Sequence, residues 1–543
     1  MAALKNAWPV IYVRGYAMTS GEKDDTSADP FCGFNYGSTV YRAVPDRKAP
    51  ARKYVFESPV VRLMSDFGYR DVYEDGRDIM DPEWHTDALG QPTGNTMAAK
   101  SIVIYRYYDA ASDLLGNGKT PEIETFAREL GELIMTVRKL VCENPANRTK
   151  PAAFRCHLVA HSMGGLICRA LLQNAALDEH GAAKYVDRFF TYATPHNGID
   201  VGGVNVPKWL SPMDINNFNR SKRMSKYLDL GAAYRKHKRV DLLPEKRFPS
   251  RRVFCMVGTN RMDYSAAAGL ARTFVGHGSD GLVLIENATL QGLNEDGSLG
   301  DLCAKAFTYR AHSGFFGIVN SEEAYQNLTR FLFGDVRVDI FLDVEDVRLP
   351  EALHQVEKKR KINALYQIEM HAAARGKLWY LTRRMAEEDS VSCFTHADWK
   401  NDRTHYLSTV FLANYARVNT RRRSLAYQMM LGVRVPDYEV DRKLWINEHY
   451  EGGYLFQNSL VLELTPPRSK GGKWKVCYAW QDAGTSKADI EIAGDDIASG
   501  MIVVRIPCES LVVDAGGVPR PTTPGIKGTL RLVVSAWSQE SAR

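Results

Sequence analysis

Residues 158–165 read Leu-Val-Ala-His-Ser-Met-Gly-Gly, an apolar run that enters a small-x-Ser-x-Gly turn and leaves as the helix-forming stretch Leu166–Leu172. A serine at a sharp strand-to-helix turn has its hydroxyl thrust out above the sheet, and small residues two before and two after it let the backbone pack closely. The chemistry that geometry suits is nucleophilic attack on a carbonyl, with Ser162 as the attacking group. Serine also caps helices. Here strand, motif and helix coincide, which favours the nucleophile.

On these residues the chain resembles the lipase and esterase branch of the α/β-hydrolases, over roughly residues 8–333. Ala160 stands where the commonest pattern has glycine, and Ala-His-Ser-Met-Gly-Gly is similar to the variant found in some bacterial lipases. The resemblance implies an acyl-enzyme mechanism that needs no cofactor. It also implies a histidine in the loop after the last core strand, because a serine hydroxyl is a poor nucleophile until a base takes its proton. His312, after Phe307–Tyr309 and ahead of a helix beginning at Ser321, fits that place. The acid that orients it should follow the strand Val253–Val257, in the order Ser, acid, His. Asp280, in Gly278-Ser279-Asp280-Gly281-Leu282-Val283, is the favoured residue. Asp263, nearer the strand end, is the rival. An oxyanion hole implied by the same resemblance takes one amide from Met163 and one from Tyr16, after Val13-Arg14-Gly15; Arg14 replaces the histidine that lipases commonly carry there.

Ala193-Thr194-Pro195-His196-Asn197-Gly198 resembles a turn of the same enzymes and reads as structural. His161 reads as a packing or pocket-lining residue, not a second base. Asp78, Asp81 and His85 have helical spacing that could bring three metal ligands onto one face. Such triplets arise by chance, and no metal is expected.

The elements that must position these groups are legible as an alternation. Val10–Val13, Ile102–Tyr107, Cys156–Ala160, Phe189–Tyr192, Val253–Val257 and Phe307–Tyr309 are strand-length apolar runs. Between the second and third, Ile123, Phe126, Leu130, Leu133, Ile134 and Val137 recur at helical steps. Strands alternating with helices predict a mostly parallel sheet covered on both faces. Two segments interrupt it: about 16–99, rich in Asp, Gly, Pro and aromatics, and about 198–252. Within the second, Lys208–Arg252 holds thirteen Lys and Arg against four acids, interleaved with Trp209, Leu210, Met213, Phe218, Met224, Tyr227 and Leu228. It is expected to form a lid that covers an acyl pocket and meets anionic lipid.

From residue 336 the character changes to short β-type runs, among them Val338–Val344, Tyr366–His371, Leu378–Leu381, Thr409–Leu412, Leu460–Leu464 and Thr529–Trp537, with turn residues between them. The expectation is an α/β-hydrolase domain over 1–335 and an all-β sandwich over 336–543. A net charge of +6 over 543 residues is too mild for a dedicated nucleic-acid binder. No apolar run reaches the roughly 18 residues of a membrane-spanning helix. The first nine residues leave no room for a standard secretory signal, so a cytoplasmic location is expected, with signal-independent export open. Nine scattered cysteines without a Cys-x-x-Cys pair suggest buried thiols.

The function expected is a lipase, esterase or phospholipase. An acyltransferase sharing the acyl-enzyme stays open, and so does the weaker reading of a binding protein that works through its β domain. The whole is also similar to lipase effectors that bacteria deliver by contact-dependent secretion.

Overall fold

The computed structural model describes residues 7–15, 38–42, 52–56, 59–72, 96–107, 122–201, 204–205, 215–262, 278–313, 317–417, 419–440, 448–467, 474–481, 495–497 and 501–537. The chain divides into two compact units, one of Met1–Lys305 with Tyr309–Phe333 and the other of Gly334–Ser541 with Ala306–Thr308.

The first unit is built on a seven-stranded sheet. Its strands are β1 (Val10–Val13), β2 (Arg70–Asp71), β3 (Ser101–Tyr105), β4 (Cys156–His161), β5 (Val186–Tyr192), β6 (Val253–Gly258) and β7 (Ala304–Thr308), in the spatial order β7-β6-β5-β4-β1-β3-β2. The pairings of β1 with β3 and β4, of β5 with β4 and β6, and of β2 with β3 are parallel. Every residue of β1, β4, β5 and β6 is buried. That is why these strands read as continuous apolar runs and not as alternations: a parallel sheet is covered on both faces.

Helices supply the cover. Helix α1 (Ile123–Glu143) turns its stripe of Ile123, Phe126, Leu130, Leu133, Ile134 and Val137 into the core. Helix α2 (Gly164–Gln173) is buried at all ten positions, as suits a helix whose residues are apolar apart from Arg169 and Gln173. Helix α3 (Glu322–Phe333) starts where Ser321 Oγ accepts from the Ala324 amide at 3.1 Å, with Glu322 and Glu323 in the first turn. At its other end, Arg188 of β5 donates to the carbonyls of Phe331 and Leu332, which have no partner within the helix.

Two sequence expectations need refinement. The segment 16–99 is not wholly an insertion, because β2 within it is the edge strand of the main sheet. A two-residue strand with one exposed side has no apolar run by which to be recognised. In Lys208–Arg252, residues 208–214 lie outside the described residues, Trp209, Leu210 and Met213 among them. The other apolar residues, Phe218, Met224, Tyr227 and Leu228, are buried in the first unit's own core, so they hold the segment down and are not offered outward.

The second unit is a pair of antiparallel sheets. One contains β8 (Val336–Arg348), β10 (Thr404–Leu412), β14 (Met501–Glu509) and β15 (Gly525–Ala536); the other contains β9 (Ile362–Ala374), β11 (Leu425–Val440), β12 (Glu448–Thr465) and β13 (Lys475–Trp480). Alternate residues of β8 face a single core shared by both sheets, from Val336, Val338, Ile340 and Leu342 on one side to Tyr427, Met429, Leu431 and Leu462 on the other. This is sandwich packing. Leu378–Leu381, expected as a strand, is a loop: the chain turns at Gly376 with φ of 80°, and the strand begins only at Thr382. An apolar run makes a strand only where a neighbour can pair with it and bury it, and Leu378 is 101% exposed.

Candidate active site

Ser162 sits in the turn between β4 and α2 with φ of 52°. A non-glycine residue in the left-handed region is strained, and the surroundings must over-determine it. They do so by close backbone packing. The Ser162 amide donates to the Tyr192 carbonyl of β5 at 2.9 Å. A Cβ on Gly164 would stand 2.2 Å from the carbonyl oxygen of Val13, and one on Gly165 would stand 2.2 Å from Thr194 Oγ1. Gly15, just after β1, is equally confined, since its Cβ would lie 2.3 Å from Ser162 Cβ. Glycine at these places is a steric requirement of the serine's position.

The other two groups arrive from the ends of β6 and β7. His312 Nε2 lies 2.9 Å from Ser162 Oγ, and its Nδ1 lies 2.9 Å from Asp280 Oδ2. The second carboxylate oxygen of Asp280 accepts from the amides of Leu282 at 3.0 Å and Val283 at 2.8 Å. The Asp280 carbonyl in turn accepts the His312 amide at 3.0 Å. One aspartate thus holds the histidine through ring and backbone together. All three residues are buried. Asp263 lies outside the described residues, as do Asp78, Asp81 and His85.

A serine at a β-strand-to-helix turn of a parallel sheet, bonded to a histidine and through it to an aspartate that follow later strands, decides the architecture. The first unit has the α/β-hydrolase fold.

In this hydrolase unit Met163 is the first residue after the serine, at the N-terminus of α2. Among the described residues nothing accepts a hydrogen bond from its amide, which stands free at the positive end of a buried helix. Tyr16 lies outside the described residues. Gly15 places the preceding backbone directly against Ser162.

His161 has more to do than packing. Its Nε2–H donates to the His312 carbonyl at 2.8 Å, and the two rings lie 5.0 Å apart. Burial, helped by the neighbouring His312 and Arg14, pushes its pKa well below the ordinary histidine value, so it is a neutral donor with its tautomer set. The sequence signal was adjacency to the serine alone.

Arg169 on α2 was not singled out in the sequence, although it is the one charged residue in an otherwise apolar helix. Fully buried, it donates to the carbonyls of His196 at 2.9 Å, Val240 at 2.8 Å and Leu242 at 3.0 Å, and to Gln173 Oε1 at 3.2 Å. Burial lowers its pKa to about 10, which leaves it charged at neutral pH. It ties the Thr194-Pro195-His196 turn and the 238–244 stretch to the helix that carries the serine. His196 itself is buried against Thr191 Oγ1 at 3.2 Å and makes no bond to Ser162, Asp280 or His312.

No protein-family model matches the chain. A lysosomal thioesterase, PPT2 of Bos taurus, is 42% identical over 59 residues, 11% of this chain and 17% of that protein, so the chain spans about a sixth of the curated relative it matches. Among solved structures, the lipase BlEst2 of Bacillus licheniformis in mature form matches at 13% identity and a TM-score of 0.29, over 61% of this chain and 94% of its own. Phospholipase PlaB from Legionella pneumophila matches at 11% identity and a TM-score of 0.29, over 82% of this chain and 90% of its own. Similarities this weak leave the strand order and the geometry around Ser162 as the grounds for the fold.

Proposed function

We propose that this chain is a carboxylic ester hydrolase of the lipase or esterase type that works through an acyl-enzyme on Ser162. The observation that carries the reading is the unbroken line from Asp280 Oδ2 to His312 Nδ1 and from His312 Nε2 to Ser162 Oγ, each step 2.9 Å, ending on a strained serine. His312 takes the hydroxyl proton as Ser162 attacks the ester carbonyl. The imidazolium that forms is held in place by Asp280, whose other oxygen is fixed by two backbone amides. The developing oxyanion is met by the Met163 amide and, on the family resemblance, by that of Tyr16. His312 then protonates the leaving alcohol, and water, activated by the same histidine, releases the acid.

Lipid esters are the substrate class we favour. Because the described apolar residues of 208–252 are committed to the core, contact of that segment with anionic lipid would rest on its cations. The test is hydrolysis of p-nitrophenyl esters of short to long acyl chains by the wild type and by Ser162→Ala, with circular dichroism on both. Activity lost in a folded variant supports the serine mechanism, and the chain-length profile separates esterase from lipase. Equal activity in the two proteins would refute the assignment.

A further inference from the structure

At one end of the β sandwich two connections meet beside the end of β12. The loop after β9 (residues 375–381) is joined to the start of β11 by the Arg375 amide, which donates to the Ala426 carbonyl at 3.2 Å. The connection before β11 (residues 413–424) reaches the end of β12 through Arg423, whose guanidinium donates to the carbonyls of Pro466 at 3.2 Å and Pro467 at 3.3 Å. Register agrees, since Ala374 stands opposite Tyr427, and Leu425 opposite Leu464.

The two connections carry six cations, Arg375, Lys377, Arg417, Arg421, Arg422 and Arg423, and no acid. Among the described residues two carboxylates bond to these connections: Glu463 pairs with Arg375 at 3.4 Å, and Asp335 accepts the Asn414 amide at 2.7 Å. The first of these connections also carries Leu378, 101% exposed, followed by Trp379, which is half-buried against the sandwich core. A fully exposed leucine and a half-buried tryptophan on a cation-rich, acid-free pair of connections have the composition of a membrane-interface contact: an aliphatic tip for hydrocarbon, an aromatic for the headgroup level and cations for the phosphates.

We infer that this pole of the β sandwich docks on an anionic lipid surface. The charge matches such a surface, and the protruding group is aliphatic. A single-stranded nucleic acid would instead want open aromatic faces on which bases stack. Tyr380 is occupied, with its ring 4.7 Å from that of His371 and the Arg383 guanidinium 5.6 Å from its centre, and Tyr415 of the second connection, 42% exposed, is a single ring where a strand of bases would need several. This reading accounts for Leu378, which none of the described residues covers.

The experiment is flotation of the full chain with vesicles of phosphatidylcholine alone or mixed with phosphatidylserine, at low and high salt, with an unstructured single-stranded DNA as a competitor probe. The wild type should float with the mixed vesicles only, and salt should release it. Each cation near an anionic bilayer contributes roughly five-fold to binding. Replacing three exposed ones together, Lys377→Gln, Arg421→Gln and Arg422→Gln, should therefore weaken flotation by about a hundred-fold. Leu378→Asp, at a site with no packing to lose, should cost about ten-fold or more on its own. Circular dichroism and unchanged turnover of a soluble short-chain ester keep folding, and the hydrolase reading, separate from the binding result. Wild-type flotation by both variants, equal binding to the neutral vesicles, no binding to either, or binding to the DNA in preference to vesicles would each overturn the inference.

Discussion

Asp280→Asn isolates the orientation of the histidine from its presence. The aspartate's Oδ1 accepts two backbone amides, from Leu282 at 3.0 Å and Val283 at 2.8 Å, and its Oδ2 faces His312 Nδ1 at 2.9 Å. An asparagine must keep its one carbonyl oxygen toward the two amides, because turning it would set an NH2 against two N–H donors. Its NH2 is therefore forced toward His312 Nδ1. The histidine can accept that bond only by moving its proton to Nε2, where it faces Ser162 Oγ and can no longer receive the hydroxyl proton. The fold is preserved, and the base is lost. A wrong tautomer in otherwise intact geometry costs about 10⁴-fold in kcat, the size known from the same substitution in serine proteases. At 1.36 kcal/mol per tenfold that is about 5.4 kcal/mol of transition-state stabilisation. The assay is kcat for a short p-nitrophenyl ester near neutral pH, with thermal unfolding of both proteins measured in parallel. A folded Asp280→Asn protein with kcat within about tenfold of the wild type would refute the reasoning: His312 would then be oriented by something else.

Three further outcomes are expected. Gly15→Ala puts a methyl 2.3 Å from Ser162 Cβ and 2.9 Å from its Oγ, so kcat should fall by about 10²-fold or more while far-UV circular dichroism is kept; active-site titration checks it. His161→Phe removes the donor to the His312 carbonyl and leaves a buried acceptor unpaired, which should cost about 1–3 kcal/mol in denaturant unfolding and lower kcat more than it raises KM. His161→Gln, which keeps a donor, should recover part of both. Acid should destabilise the fold. His161 and His196 are held neutral by burial, with depressed folded pKa values, so below the unfolded value of 6.5 the unfolded chain binds protons that the folded chain does not. Stability should therefore fall as pH drops through that value, by up to about 1.4 kcal/mol per pH unit per histidine, as chemical denaturation from neutral to mildly acidic pH would show.

What the sequence determines by itself is local. The stripe of α1, the Ser321 cap of α3, the uniformly apolar core strands and the turn around Ser162 are each decided within a dozen residues, because periodicity and turn sterics act at that range. The change to β character after residue 336 is local too.

The tertiary structure decided whatever depends on residues far apart in the chain. Ser162 and His312 are 150 positions apart, and only the strand order β7-β6-β5-β4 brings the loops after β4 and β7 together. Two aspartates satisfied the order of the motif, and distance could not be read from spacing: the carboxylate that meets His312 belongs to Asp280. Arg169 was just a charge in an apolar helix until the chain folded back to bring three carbonyls to it. Leu378–Leu381 had the composition of a strand and became a loop, since pairing is a property of the neighbour and not of the run. The same absence of a neighbour leaves Leu378 exposed.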